Sequence, residues 1–418
     1  MTHTAGLLAT RRFWPLCVAQ ACGALNDNLV KNALVVLALA RSGADGPVIV
    51  ALSAGLFILP YALFSATAGQ LADRHDKARL IRIMKIAELL LIVVAGFGLW
   101  RESVPVLLLV LVALGVQATF FGPLKYGILP DLLREDELIG GNGLIEATTF
   151  IAILVGTIAG GGLVLLPDGP LLVAVTGLAV SALGLATAAF IPPAPPTAAG
   201  LQVGWNIFRE TAAVVRQARA IRPIWLPILA ISWFWTIGAT VLAEIPVVAT
   251  VTLGGSGQLV TMFLTVFSVG IGVGSLLCAA LLKGNISARH VPLAALGISL
   301  FTWDFAASCG AAHGLVSVAE FVAAPAGWRM LVDLLLLATC GGLYSVPLYA
   351  LIQEHAAPEF RARAIGANNI MNAGFMVAGA GVAAVLAWAA VPAPRILAVA
   401  ALCNLAAAAW TLRLRRLG

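Results

Sequence analysis

The stretch Ile191-Pro192-Pro193-Ala194-Pro195-Pro196 divides the sequence into two similar halves. It excludes a continuous helix, because proline has no amide proton and fixes its own φ angle. Apolar segments long enough to cross a bilayer lie on both sides, bounded by charges and turn residues. Six precede it, at about 13–40, 47–72, 79–100, 104–130, 139–165 and 169–191, and six follow, at about 223–250, 257–283, 289–310, 328–354, 361–388 and 393–412.

The composition agrees with this pattern. Of 418 residues, 61% are hydrophobic and 11% are charged, and the mean hydropathy is +1.00. Soluble domains are about half apolar and a quarter charged, so an ordinary soluble enzyme is excluded. The six cysteines lie almost entirely in apolar stretches without C-x-x-C spacing, which favours buried thiols over a metal site or disulfides. The predicted fold class is an all-α polytopic membrane protein without metal or cofactor.

The distribution of positive charge predicts the orientation. Most of the 25 lysines and arginines, with Lys85 assigned among them, lie in the termini and in the loops that follow even-numbered segments. Few lie on the opposite side, at Arg41, Arg101, Arg329 and Arg395. Under the positive-inside rule both termini are cytoplasmic, and the net charge of +6 needs no nucleic-acid partner.

The linker between the halves contains an amphipathic pattern. Trp205, Phe208, Ala212 and Val215 recur at helical spacing, with arginines between them. This pattern predicts a helix on the inner leaflet, with its arginines near anionic headgroups.

An internal repeat relates the halves. Residues 121–126 (FGPLKY) align with residues 345–349 (SVPLY), and residues 140–143 (GGNG) align with residues 366–369 (GANN) after a short insertion. In the same register Glu146 falls on Asn372. Two parallel six-helix halves predict the major facilitator architecture, with substrate between them. The predicted domains are residues 1–191, a cytoplasmic linker at 192–222, and residues 223–418.

The loop between segments two and three, residues 69–79 (GQLADRHDKAR), resembles the signature loop of major facilitator transporters, G-x-L-A-D-R-x-G-R-K, with Asp76 at the second glycine. Glycine allows two helices to approach closely, and an aspartate at this position meets a neighbouring helix N-terminus or a cation. We therefore expect Gly69, Asp73, Arg74 and Arg79 to act in gating.

Ionisable residues inside a bilayer are costly and usually face a cavity or a partner. In the first segment, Asp27 and Lys31 share a helix face, with Asn28 beside them. Segments four and five supply Lys125 with Tyr126 and Asn142 with Glu146. Glu244 and Asp304 are further intramembrane acids, and a side chain reaching the membrane interface is an equal alternative for Asp304 and Lys125.

The second half offers an aromatic and amide lining with few charges. Its candidates are Trp235, Tyr349, Asn368 and Asn372. A charged half facing a neutral half fits an amphiphilic cargo whose headgroup bears phosphate and amine. Glycine-rich stretches on segments five, eight and eleven indicate close helix packing. Alternatively, segments five and eight, or two and eleven, form seams that part to let a lipid enter sideways.

Four blocks of the sequence resemble the bacterial lysophospholipid transporter family: residues 24–28 (ALNDN), 122–129 (GPLKYGIL), 141–149 (GNGLIEATT) and 346–354 (VPLYALIQE). The resemblance spans nearly the whole chain. It implies flipping of lysophospholipids, chiefly lysophosphatidylethanolamine, across the inner membrane for reacylation on the cytoplasmic side. It also implies that Asp27 and Lys125 belong to the charged clusters that handle the headgroup.

One departure concerns the seventh segment, where some family members carry an arginine and this chain has residues 239–246 (ATVLAEIP), including Glu244. That stretch resembles the transporter portion of forms fused to an acyltransferase. No H-x-x-x-x-D acyltransferase pair is present in the sequence, so the chain is predicted not to be an enzyme, and a separate cytoplasmic acyltransferase is its possible partner.

Two alternatives remain open from the sequence. A proton-coupled exporter of drugs or small amphiphiles would use Asp27 or Glu146 as its protonated carboxylate. A non-transporting membrane protein that recruits an acyltransferase belongs to a different class.

Overall fold

The computed structural model describes residues 2–41 and 46–416, and the regular elements in these ranges are all helical. Each predicted segment corresponds to one long helix. These helices are α1 (Trp14–Arg41), α2 (Gly46–Arg74), α3 (Lys77–Trp100), α4 (Val104–Gly127), α5 (Leu138–Leu163), α6 (Gly169–Ala188), α7 (Arg222–Val247), α8 (Gly257–Leu282), α9 (Val291–Ser308), α10 (Pro325–His355), α11 (Arg361–Trp388) and α12 (Ala393–Thr411). The prediction of an all-α membrane fold is confirmed.

Short helical turns complete the chain. They lie at Thr2–Leu7, Leu129–Leu132, Glu135–Glu137, Val248–Thr252, Val318–Ala323, Pro358–Phe360 and Leu412–Arg416. The segment between α6 and α7 contains the linker helix, Ile207–Ala220, which begins at an Asn206 cap.

Hydropathy separates α1 and α3 from the rest. Within residues 2–41 and 46–416, ten helices are long and apolar enough to cross a membrane. The two long helices outside this set carry the buried polar residues Asn26 and Asn28 on α1 and Lys85 and Glu88 on α3. The buried polar and charged side chains of these two helices therefore lie in the interior of the first half.

Small residues hold the helices of each half together. Gly156 and Gly160 of α5 lie against the backbone carbonyls of Leu25 and Leu29 on α1. In the second half, α8 packs in the same way on α10, where Gly270 faces Leu335. These glycines pack within a half, and the contacts between halves use others.

The two halves meet mainly along two helix pairs, α2 with α11 and α5 with α8, and α11 with α4 and α10 with α5 make smaller contacts. The pair α5–α8 is close because Gly143 lies 2.7 Å, measured from an ideal Cβ, from the carbonyl oxygen of Ser275. The linker helix packs on α2, α7 and α11. The predicted seams are thus helix contacts in this conformation.

The cysteines are free thiols. Cys17, Cys22, Cys278 and Cys309 are buried, as predicted, whereas Cys403 is exposed.

Candidate functional site

The halves are joined at one end of the bundle, where α2, α4 and α10 end and α3, α5 and α11 begin; we call it the closed end. Asp73 accepts hydrogen bonds from the backbone N–H of Ala362 at 2.9 Å and of Arg363 at 3.2 Å. The Arg363 Nε donates to the same carboxylate at 3.0 Å. Asp73 is fully buried, so its charge is met by the N-terminus of α11 and a guanidinium together. This is the contact that the signature loop predicts.

Glycine permits this approach. An ideal Cβ at Gly69 would lie 2.8 Å from the Arg363 Cα, and one at Gly366 would lie 2.6 Å from the Ser65 carbonyl oxygen. Asp76 has a local role, because its side chain caps α3 by accepting from the Arg79 N–H at 2.8 Å. The side chains of Arg74 and Arg79 are exposed, so the structure does not bring these two predicted gating residues into the contact.

A second set of bonds closes the same end deeper in the bundle. Asn142 Nδ2 donates to Gln353 Oε1 at 2.6 Å, and Gln353 Nε2 donates to the Tyr126 carbonyl oxygen at 3.0 Å. Lys77 bonds to Asp131 at 2.9 Å. Arg361 lies 3.6 Å from the same carboxylate, and so connects the second half to the first.

Aromatic side chains cross between the halves above these bonds. The Tyr126 and Tyr349 rings stack with centroids 4.4 Å apart and planes 5° apart. The Tyr349 hydroxyl accepts from Trp235 Nε1 at 3.2 Å, and Trp235 stacks on Phe150 of the first half. The structure therefore brings the two predicted aromatic residues of the second half to the interface.

Tyr126 connects this aromatic layer to the charged residues of the first half. Its hydroxyl donates to Glu146 Oε1 at 2.5 Å, and the Lys125 ammonium lies 4.8 Å from the centre of its ring. Lys125 also interacts electrostatically with Glu146 and Asp27. Three predicted site residues from α1, α4 and α5 thus form one charged group.

Asp27 lies in the middle of α1, and its Oδ1 is buried without a hydrogen-bond partner among the described residues. Lys31 shares a helix face with Asp27, as predicted, but its Nζ donates its hydrogen bond to Asn28 Oδ1 at 3.0 Å. Asn28 in turn donates to the Ala24 carbonyl at 2.8 Å. A buried acceptor without a partner is costly, and it marks the place where a ligand donor would be stabilised.

The two predicted amides of α11 differ. Asn368 lies beside the Tyr349 hydroxyl, and neither amide atom of its side chain makes a well-directed hydrogen bond. Asn372 Oδ1 accepts from Ser232 of α7 at 2.9 Å, so its amide joins helices of the second half.

The assignment of Lys85 to a cytoplasmic loop was wrong. Lys85 is buried in α3, and its ammonium bonds to Glu88 Oε2 at 2.7 Å. Asn26 Nδ2 bridges Glu88 Oε1 at 3.1 Å and Ser181 Oγ at 2.8 Å. The i, i+3 spacing of Lys85 and Glu88 was an available signal, and so was the position of Lys85 inside the segment predicted at about 79–100, where it was nevertheless counted with the charges of the preceding loop.

The remaining intramembrane acids lie apart from this centre. Asp304 forms an ion pair with Arg329 on a half-exposed surface. Glu244 is buried in α7. Neither has a described contact with the charged group of the first half.

The family model described as Major Facilitator Superfamily matches residues 16–380. The lysophospholipid transporter LplT of Photorhabdus laumondii is 32% identical over 360 residues, which cover 83% of this chain and 81% of the relative. The chain belongs to the lysophospholipid transporter family of the Major Facilitator Superfamily. The LplT of Escherichia fergusonii is 28% identical over 378 residues, covering 88% of this chain and 85% of the relative.

Solved major facilitator structures show the same fold. The human organic anion transporter MFSD10 superposes with a TM-score of 0.74 at 13% identity, covering 96% of this chain and 99% of that chain. The Escherichia coli fucose:proton symporter FucP gives 0.70 at 15% identity, covering 96% and 98%. At such identities the likeness concerns the fold alone.

Gly69→Val is expected to hold the halves apart at the closed end, because its side chain would meet the Arg363 backbone. Spin labels at the exposed residues His75 and Ala357, one in each half, should move to longer distances in double electron–electron resonance. Gly55→Val is the matched control on the same helix, since nothing lies within 4 Å of a Cβ there. An unchanged distance distribution in Gly69→Val would contradict this role.

Proposed function

We propose that this transporter moves lysophospholipids, chiefly lysophosphatidylethanolamine, across the inner membrane to the cytoplasmic leaflet by alternating access. The observation that carries the proposal is the set of charged residues in the first half. The carboxylates Asp27, Glu88 and Glu146 are matched by the ammonium groups of Lys31, Lys85 and Lys125.

Charge balance favours a zwitterionic headgroup. Counted as ionised groups, the three carboxylates and three ammonium groups sum to zero, and a net charge inside the membrane is costly. A headgroup with one phosphate and one amine adds no net charge. The amine can be accepted at Asp27, whose Oδ1 lacks a partner, and the phosphate can be bound by Lys125.

The neutral lining of the second half suits the rest of the cargo. Trp235, Tyr349 and Asn368 supply aromatic faces and one amide without a well-directed hydrogen bond. Such a wall can pack on an acyl chain and the glycerol without demanding charge. The named relatives, which are lysophospholipid transporters, support the same cargo.

Burial along α2 and α11 indicates which end opens. Both helices are buried where Gly69 meets Arg363, whereas Leu59 of α2 is 51% exposed and Val382 of α11 is 60% exposed. The hydrogen bonds and ion pairs described above that join the halves all lie at the closed end. With both termini cytoplasmic, as the charge distribution predicts, the closed end faces the cytoplasm. Cargo therefore enters from the outer leaflet, through the α2–α11 or the α5–α8 seam.

The proposal keeps the domain division predicted from the sequence, residues 1–191, 192–222 and 223–418. Residues 1–191 bind the headgroup. The chain acts as a transporter and not as an enzyme. A separate cytoplasmic acyltransferase would consume the delivered lysolipid.

The decisive experiment measures inward movement of fluorescent lysophosphatidylethanolamine in proteoliposomes, with and without a pH gradient. Flux well above that of protein-free liposomes, and independent of the gradient, is expected. Diacyl phosphatidylethanolamine is the matched cargo control, because it carries the same headgroup. Lysolipid movement no faster than in protein-free liposomes would contradict the proposal.

A proton-coupled exporter is the second candidate, and the buried Asp27 Oδ1 without a partner favours it, since such a carboxylate can take up a proton. It predicts outward flux of small amphiphiles that depends strongly on the pH gradient. The same proteoliposomes distinguish the two functions.

A further inference from the structure

The linker helix presents an uncovered face with unusual composition. Its inner face is buried through Val214 and Ala218. On the opposite side Phe208 is 79% exposed, and Trp205, just before the helix, is 76% exposed. Residues 208, 212, 215 and 219 follow helical spacing and form one stripe.

The exposed face carries positive charge only. Arg209, Arg216 and Arg219 are exposed on it. The one acidic residue of the linker helix, Glu210, is turned inward and accepts from Gln70 Nε2 at 2.6 Å. Two exposed aromatic rings flanked by arginines match the chemistry of an anionic lipid surface, where the rings enter the interface and the guanidinium groups meet headgroups.

The linker is hydrogen-bonded directly to the last turn of α2, residues 69–73, which contacts the second half at the closed end. Gln70 follows Gly69, and its Oε1 accepts from the Gly204 N–H at 2.9 Å. The backbone carbonyl of Asp73 accepts from Thr197 N–H at 3.1 Å and Ala198 N–H at 2.8 Å. The Asp73 carboxylate meanwhile binds α11. One turn of α2 therefore contacts both the linker and the opposite half.

The linker helix also packs on α11 and α7 of the second half. A force that holds this helix on the membrane therefore acts on both sides of the α2–α11 contact. Separation of α2 from α11 requires the helix to leave at least one of them.

We propose that the linker helix binds anionic lipid in the adjacent leaflet and thereby stabilises the closed end, so that the anionic lipid content sets the ratio of closed to open transporter. Gln70 and Glu210 transmit this effect to the Gly69–Asp73 turn. The inference goes beyond the proposed cargo and does not depend on it.

The test uses the full-length protein with spin labels at His75 and Ala357, in phosphatidylethanolamine–phosphatidylcholine vesicles with or without phosphatidylglycerol and without lysolipid. An arginine near an anionic membrane surface strengthens binding to that surface by about fivefold. We expect phosphatidylglycerol to raise the closed-to-open ratio by at least about fivefold. An unchanged ratio would overturn the proposal, whatever the outcome of the flux assay.

Variants separate lipid binding from transmission to the gate. Replacing Arg209, Arg216 and Arg219 by glutamine should abolish the response, whereas replacement by lysine, the matched control, should retain it. Glu210→Ala should leave a spin label at position 208 in contact with lipid but reduce the change in the closed-to-open ratio that phosphatidylglycerol causes. A glutamine triple variant that responds like wild type overturns the lipid contact, and a full response in Glu210→Ala overturns the transmission.

Discussion

Asp27→Asn is expected to reduce lysophosphatidylethanolamine flux by about 10- to 150-fold, and Lys125→Ala by a similar factor. A hydrogen bond to a charged group contributes about 1.5–3 kcal/mol, which corresponds to this range. Asp27 Oδ1 is buried without a partner, so a cargo amine would be its main donor. The measurement is the initial rate of inward flux in proteoliposomes with matched protein content.

Asp304→Asn is the control for this prediction. Asp304 also lies on a membrane helix, but its carboxylate pairs with Arg329 on a half-exposed surface. Flux should stay within about twofold of wild type, because surface ion pairs contribute little. If Asp27→Asn keeps full flux while Asp304→Asn loses it, the headgroup site has been placed on the wrong side of the molecule.

Lys85→Met is expected to have the largest effect on stability. It leaves the fully buried Glu88 carboxylate without its ammonium partner, which lies at 2.7 Å. Removal of one partner of a buried ion pair costs about 3–5 kcal/mol of the free energy of unfolding. The measurement is reversible unfolding in mixed detergent micelles.

The double variant Lys85→Met with Glu88→Gln tests the cause. It removes both charges and keeps an amide that Asn26 can contact, so it should be clearly more stable than Lys85→Met alone. Lys283→Met serves as the lysine control, because Lys283 is exposed at the end of α8. Equal destabilisation in the single and double variants would show that the loss comes from packing and not from an unpaired carboxylate.

The Lys85–Glu88 ion pair also lies close to the candidate headgroup site. Asn26, which bonds to Glu88 and Ser181, immediately precedes Asp27 on α1. The network therefore fixes the rotation of α1 at the level of Asp27. A flux loss in the double variant with retained stability would show that this orientation matters for transport.

Most of the fold could be predicted from the sequence because its signals are local. A membrane helix needs about twenty consecutive apolar residues, and its backbone bonds are satisfied within the segment. The repeat between residues 121–126 and 345–349, and the loop at residues 69–79, are likewise readable without knowing which helices touch. The family followed from such blocks.

The sequence placed charges on helices but did not determine their partners. Lys31 contacts Asn28 instead of Asp27, and Lys85 is in the interior instead of a loop. Arg74 and Arg79 belong to the signature loop, yet Arg363 is the guanidinium that reaches Asp73. A side chain's partner depends on helix rotation and on the distance to a neighbour, and neither is encoded in the spacing along one segment.

Thus the sequence by itself determined the twelve helices, the two related halves, the signature loop and the residues that place charge within the membrane. Only the tertiary structure decided that Asp73 bonds to Arg363 and Asn142 to Gln353, pairs separated by 290 and 211 residues. The physical reason is that the backbone hydrogen bonds of a membrane helix are satisfied within each segment, whereas these bonds form only when the two halves pack side by side, with glycines allowing the close approach.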